Sequence, residues 1–373
     1  MDSCLLVAGE KSGEEHALSF FPELVKLCPD VKFYGVGGDG LQRNGLELLY
    51  HLRDFGSMGF SEVVQKIPFY LKAMRRLEAE VQSRGTRTAI VVDFQDFNLR
   101  LARRLASRGV KVLYYVAPQA WAWRAGRAGV LARTAHTLFS ILPFETQWFK
   151  QRGVSQVRSI PHPLMLTYRE VLAKIPQKSF TEMQGKLKLL LLPGSRKSEI
   201  YSLLPDFIHT VRLLRTSCSV EVHLVKVDHV SEEIYHFYQS DIDVIHHSEN
   251  LVTAMNSCHM ALAASGTVTL STALFELPTI VCYRSSLLNE FIFDHLIKYR
   301  GPISLTNIIH GKMVFPEFTQ DRIDPHKLKK IIMSWSGDEK VYTDLKACLR
   351  ETKNLLSGED FSVPLYMSQV IHE

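Results

Sequence analysis

Cysteine is scarce in this sequence and is not arranged as in a metal-binding module. Six of the 373 residues are cysteine, at positions 4, 28, 218, 258, 282 and 348, and no pair has the CxxC spacing. Structural zinc sites use closely spaced thiols, and disulfide scaffolds are short chains dense in cysteine. Neither is therefore the basis of this fold, and a chain of this length can bury enough apolar surface without them.

Long hydrophobic runs are missing as well. No apolar stretch reaches the ~18 residues that a membrane-spanning helix needs. The opening residues, MDSCLLVAGEKSGEE, have no basic start and too short an apolar segment for a signal peptide. We therefore expect a protein of the reducing cytoplasm, and attachment to a membrane surface remains open.

A large excess of charge of one sign is also absent. Lysine and arginine total 44 against 39 aspartates and glutamates, which gives a net charge of +5. This balance is too weakly basic to indicate a nucleic-acid partner. With 46% hydrophobic and 22% charged residues and no repeats, the composition is that of a folded globular protein.

What the sequence does contain is an alternation of short apolar runs with amphipathic stretches, interrupted by prolines between residues 158 and 186. This alternation predicts βαβ units in two blocks. We predict an α/β fold of the GT-B type, with two Rossmann-like domains at 1–163 and 185–340 facing across a cleft, and C-terminal helices at 341–373 packing back. The predicted strands are Cys4–Ala8, Val31–Val36, Thr88–Val92, Val110–Val116, Thr137–Leu142, Leu187–Leu192, Val220–Val225, Ile242–His246, Met260–Ala263 and Thr279–Tyr283.

The turn after the first predicted strand reads AGEKSGE. Ligands of parallel sheets bind beyond the carboxyl ends of the strands, so Glu10 is expected to face the cleft. Gly9 and Gly13 would let the backbone approach a ligand, and a helix starting near Ser12 would offer free N–H groups. The alternative is a tight turn in which Ser12 is only the N-cap.

A second turn, VDFQDFN, places two carboxylates where a sugar hydroxyl could be deprotonated. Asp93 ends the strand and is the better candidate for the general base, with Asp96 next to it. Asp96 or Asn98 could instead cap the helix at 99–109, and for Asn98 capping is the better interpretation. Trp121 and Trp123, after the following strand, could stack on a sugar or pack in the core.

In the second block, the run LLPGSRKSE follows a predicted strand. A Gly-Ser turn that opens a helix suits a diphosphate, because backbone N–H groups and the hydroxyl can hold its oxygens while an arginine neutralises its charge. The GK[ST] ending of a P-loop is absent. A capped turn is the alternative. The candidate substrate-binding or catalytic residues here are Gly194, Ser195, Arg196 and Glu199.

Ser265, Gly266 and Thr267 repeat this arrangement after the strand Met260–Ala263. Two helix starts suited to an anion in one domain indicate that a nucleotide diphosphate binds there.

These residues, in this order, resemble the lipid-A-disaccharide synthase family of inverting GT-B glycosyltransferases. The resemblance covers nearly the whole chain, and the run from Asp93 to Arg127 and the LLPGSR element are specific. The matching segments are AGEKSGE, FYGVGGDGLQRNGLE, MGFSEVVQKIP, VDFQDFNLRLARRL, VLYYVAPQAWAWRAGR, LPFE, HPL, LLPGSRKSEI, ASGTVTL and ISLTNIIHGKMVFPE.

The resemblance implies a donor, UDP-2,3-diacylglucosamine, and an acceptor, 2,3-diacylglucosamine 1-phosphate (lipid X), at the cytoplasmic face of the inner membrane. We expect no cofactor, and no metal either, because Arg196 and the two helix starts would stabilise the charge of the leaving diphosphate. A homo-oligomer is possible. By position, Asp93 matches the general base, Glu10 and Ser12 match pocket residues of the first domain, and Arg196 and Asn307 match donor-side residues.

The chain departs from the family pattern at Glu14, where aspartate is usual, around His162, and at Ser271, where glutamate is expected. Glu276 lies five residues further on and off the same helix face, so it is a poor substitute. Two alternatives stay open. One is another GT-B enzyme of UDP-sugars, either a transferase with a soluble acceptor or a 2-epimerase. The other is a paralogue that binds acylated sugar with weakened turnover.

Segment 58–76 mixes apolar and aromatic residues with cations, the composition of an interfacial membrane segment. Pro68 and the aromatic pair Phe69 and Tyr70 favour this interpretation. The alternative is that the apolar side chains pack into the core.

Overall fold

The computed structural model describes residues 2–55, 66–122, 124–175, 178–227, 230–284 and 301–373. The chain divides into two compact units, Met1–Thr167 with Leu356–Glu373, and Tyr168–Leu355. Each unit is built on a parallel sheet. The boundary therefore lies at residue 167, close to the expected end of the first domain at 163.

The first unit has seven parallel strands in the order β3-β2-β1-β4-β5-β6-β7. The strand order reverses between β1 and β4, which makes the edge beyond these two strands a topological switch point. Both strands are buried almost throughout, because helices cover the two faces of the sheet. The strands are β1 Asp2–Ala8, β2 Val31–Gly37, β3 Glu47–His51, β4 Thr88–Val92, β5 Lys111–Tyr115, β6 Thr137–Ser140 and β7 Val157–Ser159.

Up to residue 167, the described helices of the first unit follow its strands in the expected alternation. They are α1 Lys11–Leu18, α2 Phe21–Leu27, α3 Asp39–Arg43, α4 Leu52–Phe55, α5 Ile67–Ser83, α6 Gln95–Ala106, α7 Arg127–Thr134, α8 Glu145–Lys150 and α9 Pro163–Thr167.

The second unit repeats this plan with the strand order β10-β9-β8-β11-β12-β13, so its switch point lies between β8 and β11. Its strands are β8 Leu187–Leu192, β9 Val220–Lys226, β10 Val244–His247, β11 Met260–Ala264, β12 Thr279–Tyr283 and β13 Glu317–Thr319. Its described α-helices are α10 Arg169–Leu172, α11 Phe180–Gly185, α12 Lys197–Arg215, α13 Glu233–Phe237, α14 Leu251–Ser257, α15 Val268–Leu274, α16 Leu305–His310, α17 Pro325–Gly337 and α18 Glu339–Leu355.

The C-terminal helices divide between the two units. Helix α18 packs against α15 and α17 and belongs to the second unit, whereas α19, Val363–His372, packs against α2 in the first. The apolar side chains of α19 complete one layer of the first unit's core. Of the C-terminal segment expected to pack back, only α19 does so. None of the helices in the described ranges is long and apolar enough to cross a bilayer.

Candidate active site

At the switch point of the first unit, the turns after β1 and β4 bring three predicted residues together. The Ser12 hydroxyl donates a hydrogen bond to Oδ2 of Asp93 over 3.3 Å. Burial, and then the negative charge of Asp93, raises the pKa of Glu10. A polar group of two carboxylates and one hydroxyl therefore lies at this sheet edge, where ligands of such folds bind.

The backbone at Asp93 is held in an uncommon conformation. Asp93 and Phe94 have φ angles of +48° and +46°, in the left-handed region that is costly for side chains other than glycine. The N–H of Asp93 donates to the carbonyl of Tyr115 (3.0 Å). The Asn98 side-chain amide donates to the carbonyls of Val92 (3.1 Å) and Asp93 (2.8 Å). These bonds hold the backbone from which the Asp93 side chain projects.

Asn98 is fully buried, so it does not present its side chain to a ligand. It is not the helix cap either, because α6 begins after Phe94 and has no side-chain cap. The structure corrects both interpretations and makes Asn98 a positioning residue for Asp93.

The two glycines of the first turn, Gly9 and Gly13, allow close packing. A Cβ on Gly9 would lie 2.6 Å from the ring of Phe94, and a Cβ on Gly13 would lie 3.3 Å from the carbonyl oxygen of Val92. We expected these glycines to let the backbone approach a ligand. Instead, they allow the first turn and α1 to pack closely against the loop that carries Asp93.

Asp96 is exposed and paired with two arginines, Arg124 (3.2 Å) and Arg127 (2.7 Å). Both oxygens of its carboxylate accept hydrogen bonds from these guanidinium groups, so they are already engaged within the protein. The geometry therefore favours Asp93 over Asp96 as the base.

Two histidines near this group were not predicted as site residues from the sequence. Burial lowers the pKa of His16 on α1, although the nearby charge of Asp93 opposes that shift. Burial, and then the charge of His16, lowers the pKa of His162 to about 4, so His162 is neutral at physiological pH. The HPL motif, which contains His162, is the feature of the sequence that could have indicated this residue.

Trp121 supports the wall of the first unit. Its indole N–H donates to Oε1 of Glu145 (3.0 Å), and Oε2 accepts the N–H groups of Ile141 (3.3 Å) and Leu142 (3.1 Å). Burial raises the pKa of Glu145 to about 7 despite these donors. Of the two interpretations of the tryptophan pair, packing fits Trp121, and Trp123 lies outside the described residues.

A pocket of about 380 Å³ opens at the carboxyl ends of β8, β9 and β11 in the second unit. Its lining contains every predicted residue of this domain except Asn307: Gly194, Ser195, Arg196, Glu199, Ser265, Gly266 and Thr267.

The N-terminus of α12 is capped by the carboxylate of Glu199, a residue of the same helix. Oε2 of Glu199 accepts the N–H groups of Ser195 (3.0 Å) and Arg196 (3.2 Å), and Oε1 accepts the Arg196 guanidinium (2.8 Å). Gly194, with φ at +122°, is required here, because a Cβ at this position would overlap Oε2 of Glu199. This corrects the expectation that these N–H groups are free for a diphosphate, and Glu199 is a cap. The Arg196 side chain, 77% exposed, still faces solvent.

At the second helix start, the Ser265 hydroxyl is already used, because it donates to the carbonyl of Ile303 (3.2 Å). Gly266 and Thr267 are exposed, and a Cβ on Gly266 would meet nothing within 4 Å. Of the two predicted helix starts, this second one is the more open.

Asn307 is fully buried, and its side chain is fully engaged. Its Oδ1 accepts the N–H groups of Val314 and Phe315, both at 2.8 Å. Its Nδ2 donates to the carbonyl of Phe315 (2.8 Å) and to Glu317 (2.7 Å). The structure replaces the implied substrate contact with a structural role that joins α16 to the loop before β13.

We expect Asn307→Ala to destabilise the protein by about 1–3 kcal/mol, because it leaves buried backbone groups without partners. Thermal unfolding of the variant checks the loss. UDP affinity, measured calorimetrically well below the unfolding temperature, should stay within a factor of about two of wild type. Weakened UDP binding with an unchanged melting temperature would contradict the structural role.

The position at which members of the resembled family are expected to have glutamate is buried. Ser271 is buried on α15, with its hydroxyl 3.3 Å from that of Tyr168. Glu276 pairs with Arg350 (3.1 Å) and Lys353 (4.0 Å) on α18, so its carboxylate is committed elsewhere.

One group of metal-capable side chains stands out in the described ranges. Ligand atoms of His310, Cys348 and Glu351 lie within 4.8 Å of one another on α16 and α18. The His310 ring also contacts the Thr352 hydroxyl (3.0 Å). None of these residues lies at the strand ends that carry the candidate site.

Comparison with known proteins gives a consistent result for the whole chain. The family model described as lipid-A-disaccharide synthetase matches residues 4–364. The lipid-A-disaccharide synthase of Myxococcus xanthus (strain DK1622) is 35% identical over 331 residues, covering 87% of this chain and 85% of that protein. That of Anaeromyxobacter sp. (strain K) is 34% identical over 378 residues, covering 99% and 97%.

Among solved structures, MurG of Acinetobacter baumannii superposes with a TM-score of 0.57 at 12% identity, covering 100% of this chain and 99% of that chain. The UDP-GlcNAc 2-epimerase of Neisseria meningitidis bound to UDP-GlcNAc gives a TM-score of 0.59 at 11% identity, covering 99% of both chains. At such low identity these likenesses establish the GT-B fold alone.

Proposed function

This chain belongs to the lipid-A-disaccharide synthetase family of glycosyltransferases, and from that premise we propose that it joins two acylated glucosamine units. The donor is UDP-2,3-diacylglucosamine and the acceptor is 2,3-diacylglucosamine 1-phosphate. The products are a β-1,6-linked disaccharide 1-phosphate and UDP. The observation that carries the proposal is the group of Ser12, Glu10 and Asp93, with Asp93 held by Asn98 at the switch point.

The proposed step is a single displacement. Asp93 takes the proton of the acceptor 6-hydroxyl while that oxygen forms a bond to the anomeric carbon of the donor. The bond between this carbon and the diphosphate breaks, and its electron pair leaves with UDP. Arg196 is assigned to stabilise the charge that develops on the diphosphate.

Incubation with both acylated substrates, followed by mass spectrometry, tests the reaction. Disaccharide 1-phosphate together with one equivalent of UDP is the expected result. Transfer to a soluble acceptor, or epimerised UDP-sugar, would favour another UDP-sugar enzyme of the same fold. Binding of both substrates with no product would favour the weakened paralogue.

Acylated substrates reside in a bilayer, so we place the protein peripherally at the cytoplasmic face of the inner membrane. Residues 58–65 of the predicted interfacial segment lie outside the described residues. In the part that is described, Ile67 and Leu71 of α5 are 46% and 39% exposed. Lys72, Arg75 and Arg76 are exposed beside them, a composition suited to an anionic bilayer.

The ring of Phe69, by contrast, lies 5.2 Å from that of Phe55 and 5.7 Å from that of Tyr50, measured between centroids. Tyr70 packs in the same cluster, with its hydroxyl donating to the carbonyl of Phe55 (2.9 Å). The aromatic pair that favoured a membrane role therefore packs in the core, and Ile67 and Leu71 remain as the candidates for membrane contact.

We expect Ile67→Ser with Leu71→Ser to reduce sedimentation with anionic vesicles at least about threefold, because apolar side chains no longer enter the interface. The melting temperature should change little. Phe237→Ser, which alters a side chain that is 76% exposed in the second unit, is the control and should leave sedimentation unchanged. Equal sedimentation of all three proteins would place membrane contact elsewhere.

A further inference from the structure

A cavity in the first unit is lined by arginines. It has a volume of about 350 Å³ and lies between α6 and α7. Its charged residues are Asp96, Arg100, Arg103, Arg124 and Arg127, so four guanidinium groups face one carboxylate. Such an excess of arginine in a concave site favours an anion with several oxygens, because guanidinium groups donate paired hydrogen bonds to phosphate.

The arginines fall into two pairs with different roles. Arg124 and Arg127 hold Asp96, and the Arg127 side chain is only 7% exposed, whereas that of Arg124 is 57% exposed. Arg100 and Arg103 are exposed one helical turn apart on α6. Within the described part of the chain, neither of their side chains has an ion-pair or hydrogen-bond partner. The second pair is therefore available to an incoming anion.

The cavity begins close in the chain to the proposed base. Asp96, which lines the cavity, follows Asp93 by three residues, and it accepts a hydrogen bond from Arg127, which also lines the cavity (2.7 Å). Asp96 stands in the first turn of α6, the helix that begins two residues after Asp93. An anion in this cavity would therefore lie along the helix that follows the proposed base, Asp93.

We propose that this arginine pocket binds the phosphate of the acceptor sugar and orients the acceptor toward Asp93. The proposal rests on the proposed function for the source of the phosphate, whereas the preference for phosphate rests on the cavity itself. The same chemistry is offered by phosphate headgroups of anionic lipids. The experiment therefore distinguishes these two sources.

Phosphorus NMR titration with glucosamine 1-phosphate tests the pocket without turnover. Arg100→Gln with Arg103→Gln should weaken binding about tenfold or more, because two charge-assisted contacts are lost. Lys327→Gln with Lys330→Gln removes the same charge at the same spacing from exposed positions of α17 and should bind as wild type does. Equal binding by the three proteins would overturn the proposal.

The kinetic arm compares the phosphorylated acceptor with the analogue that lacks the 1-phosphate. Wild type should prefer the phosphorylated acceptor in kcat/KM, and the arginine double variant should lose most of this preference. Sedimentation with phosphatidylglycerol vesicles should be the same for both double variants. Reduced sedimentation of the arginine variant with an unchanged preference would overturn the acceptor assignment in favour of lipid headgroups. Absent turnover in wild type with intact glucosamine 1-phosphate binding would refute the proposed reaction alone.

Discussion

Asp93→Asn is expected to lower turnover about 10²–10⁴-fold, the usual contribution of a general base. The amide cannot accept the acceptor proton, yet asparagine tolerates the left-handed backbone at +48° better than most residues. The fold should therefore survive, and the melting temperature of the variant checks that it does. Single-turnover rates at saturating donor and acceptor measure the chemical effect.

Asp30→Asn is a matched control, since Asp30 is an exposed aspartate of the same unit. It should leave turnover unchanged. The pKa of Glu10 should fall in Asp93→Asn, because the negative charge of Asp93 contributes to raising it. If Asp93→Asn retains more than about a tenth of wild-type turnover at equal stability, Asp93 is not the base.

Arg196→Ala should cost about 2–4 kcal/mol of transition-state stabilisation, because a charge-assisted contact to the leaving diphosphate is lost. The change leaves Glu199 bonded to the backbone N–H groups of Ser195 and Arg196, so the start of α12 should stay intact. The loss should therefore appear in kcat and in UDP affinity rather than in the melting temperature.

Arg322→Ala, which removes another exposed arginine of the second unit, should behave as wild type does. Arg196→Lys should recover part of the activity, since a lysine restores the charge but not the paired hydrogen bonds. Wild-type turnover and UDP affinity in Arg196→Ala would remove Arg196 from the site.

The central strands were predictable because a strand that is buried on both faces has a continuous apolar run in its sequence. Thr88–Val92, Leu187–Leu192 and Thr279–Tyr283 have the same bounds in the sequence analysis and in the structure. The strands β3, β7 and β13 were missed. They are short or only partly buried strands at the edges of the sheets, so their side chains carry little of that signal.

The sequence predicted the candidate site only to the extent that the ends of the strands locate it. Glu10, Ser12 and Asp93 follow β1 and β4, and the chain order alone places these turns beyond the sheet. The roles of Asn98 and Glu199 depend on bonds that spacing does not reveal. Asn98 turns inward to backbone carbonyls, and Glu199 turns back to cap its own helix.

By itself, the sequence determined the α/β class and the strand ends that carry polar residues, because these follow from local order and periodicity. The family followed from the resemblance of its motifs to those of a known family. Only the tertiary structure decided that Asn307 is buried against Phe315 and Glu317, that Phe69 packs with Phe55, and that four arginines meet in one cavity. Each of these depends on elements that the chain brings together from separate positions. Periodicity assigns a residue to a face, but the partner across that face is set by packing.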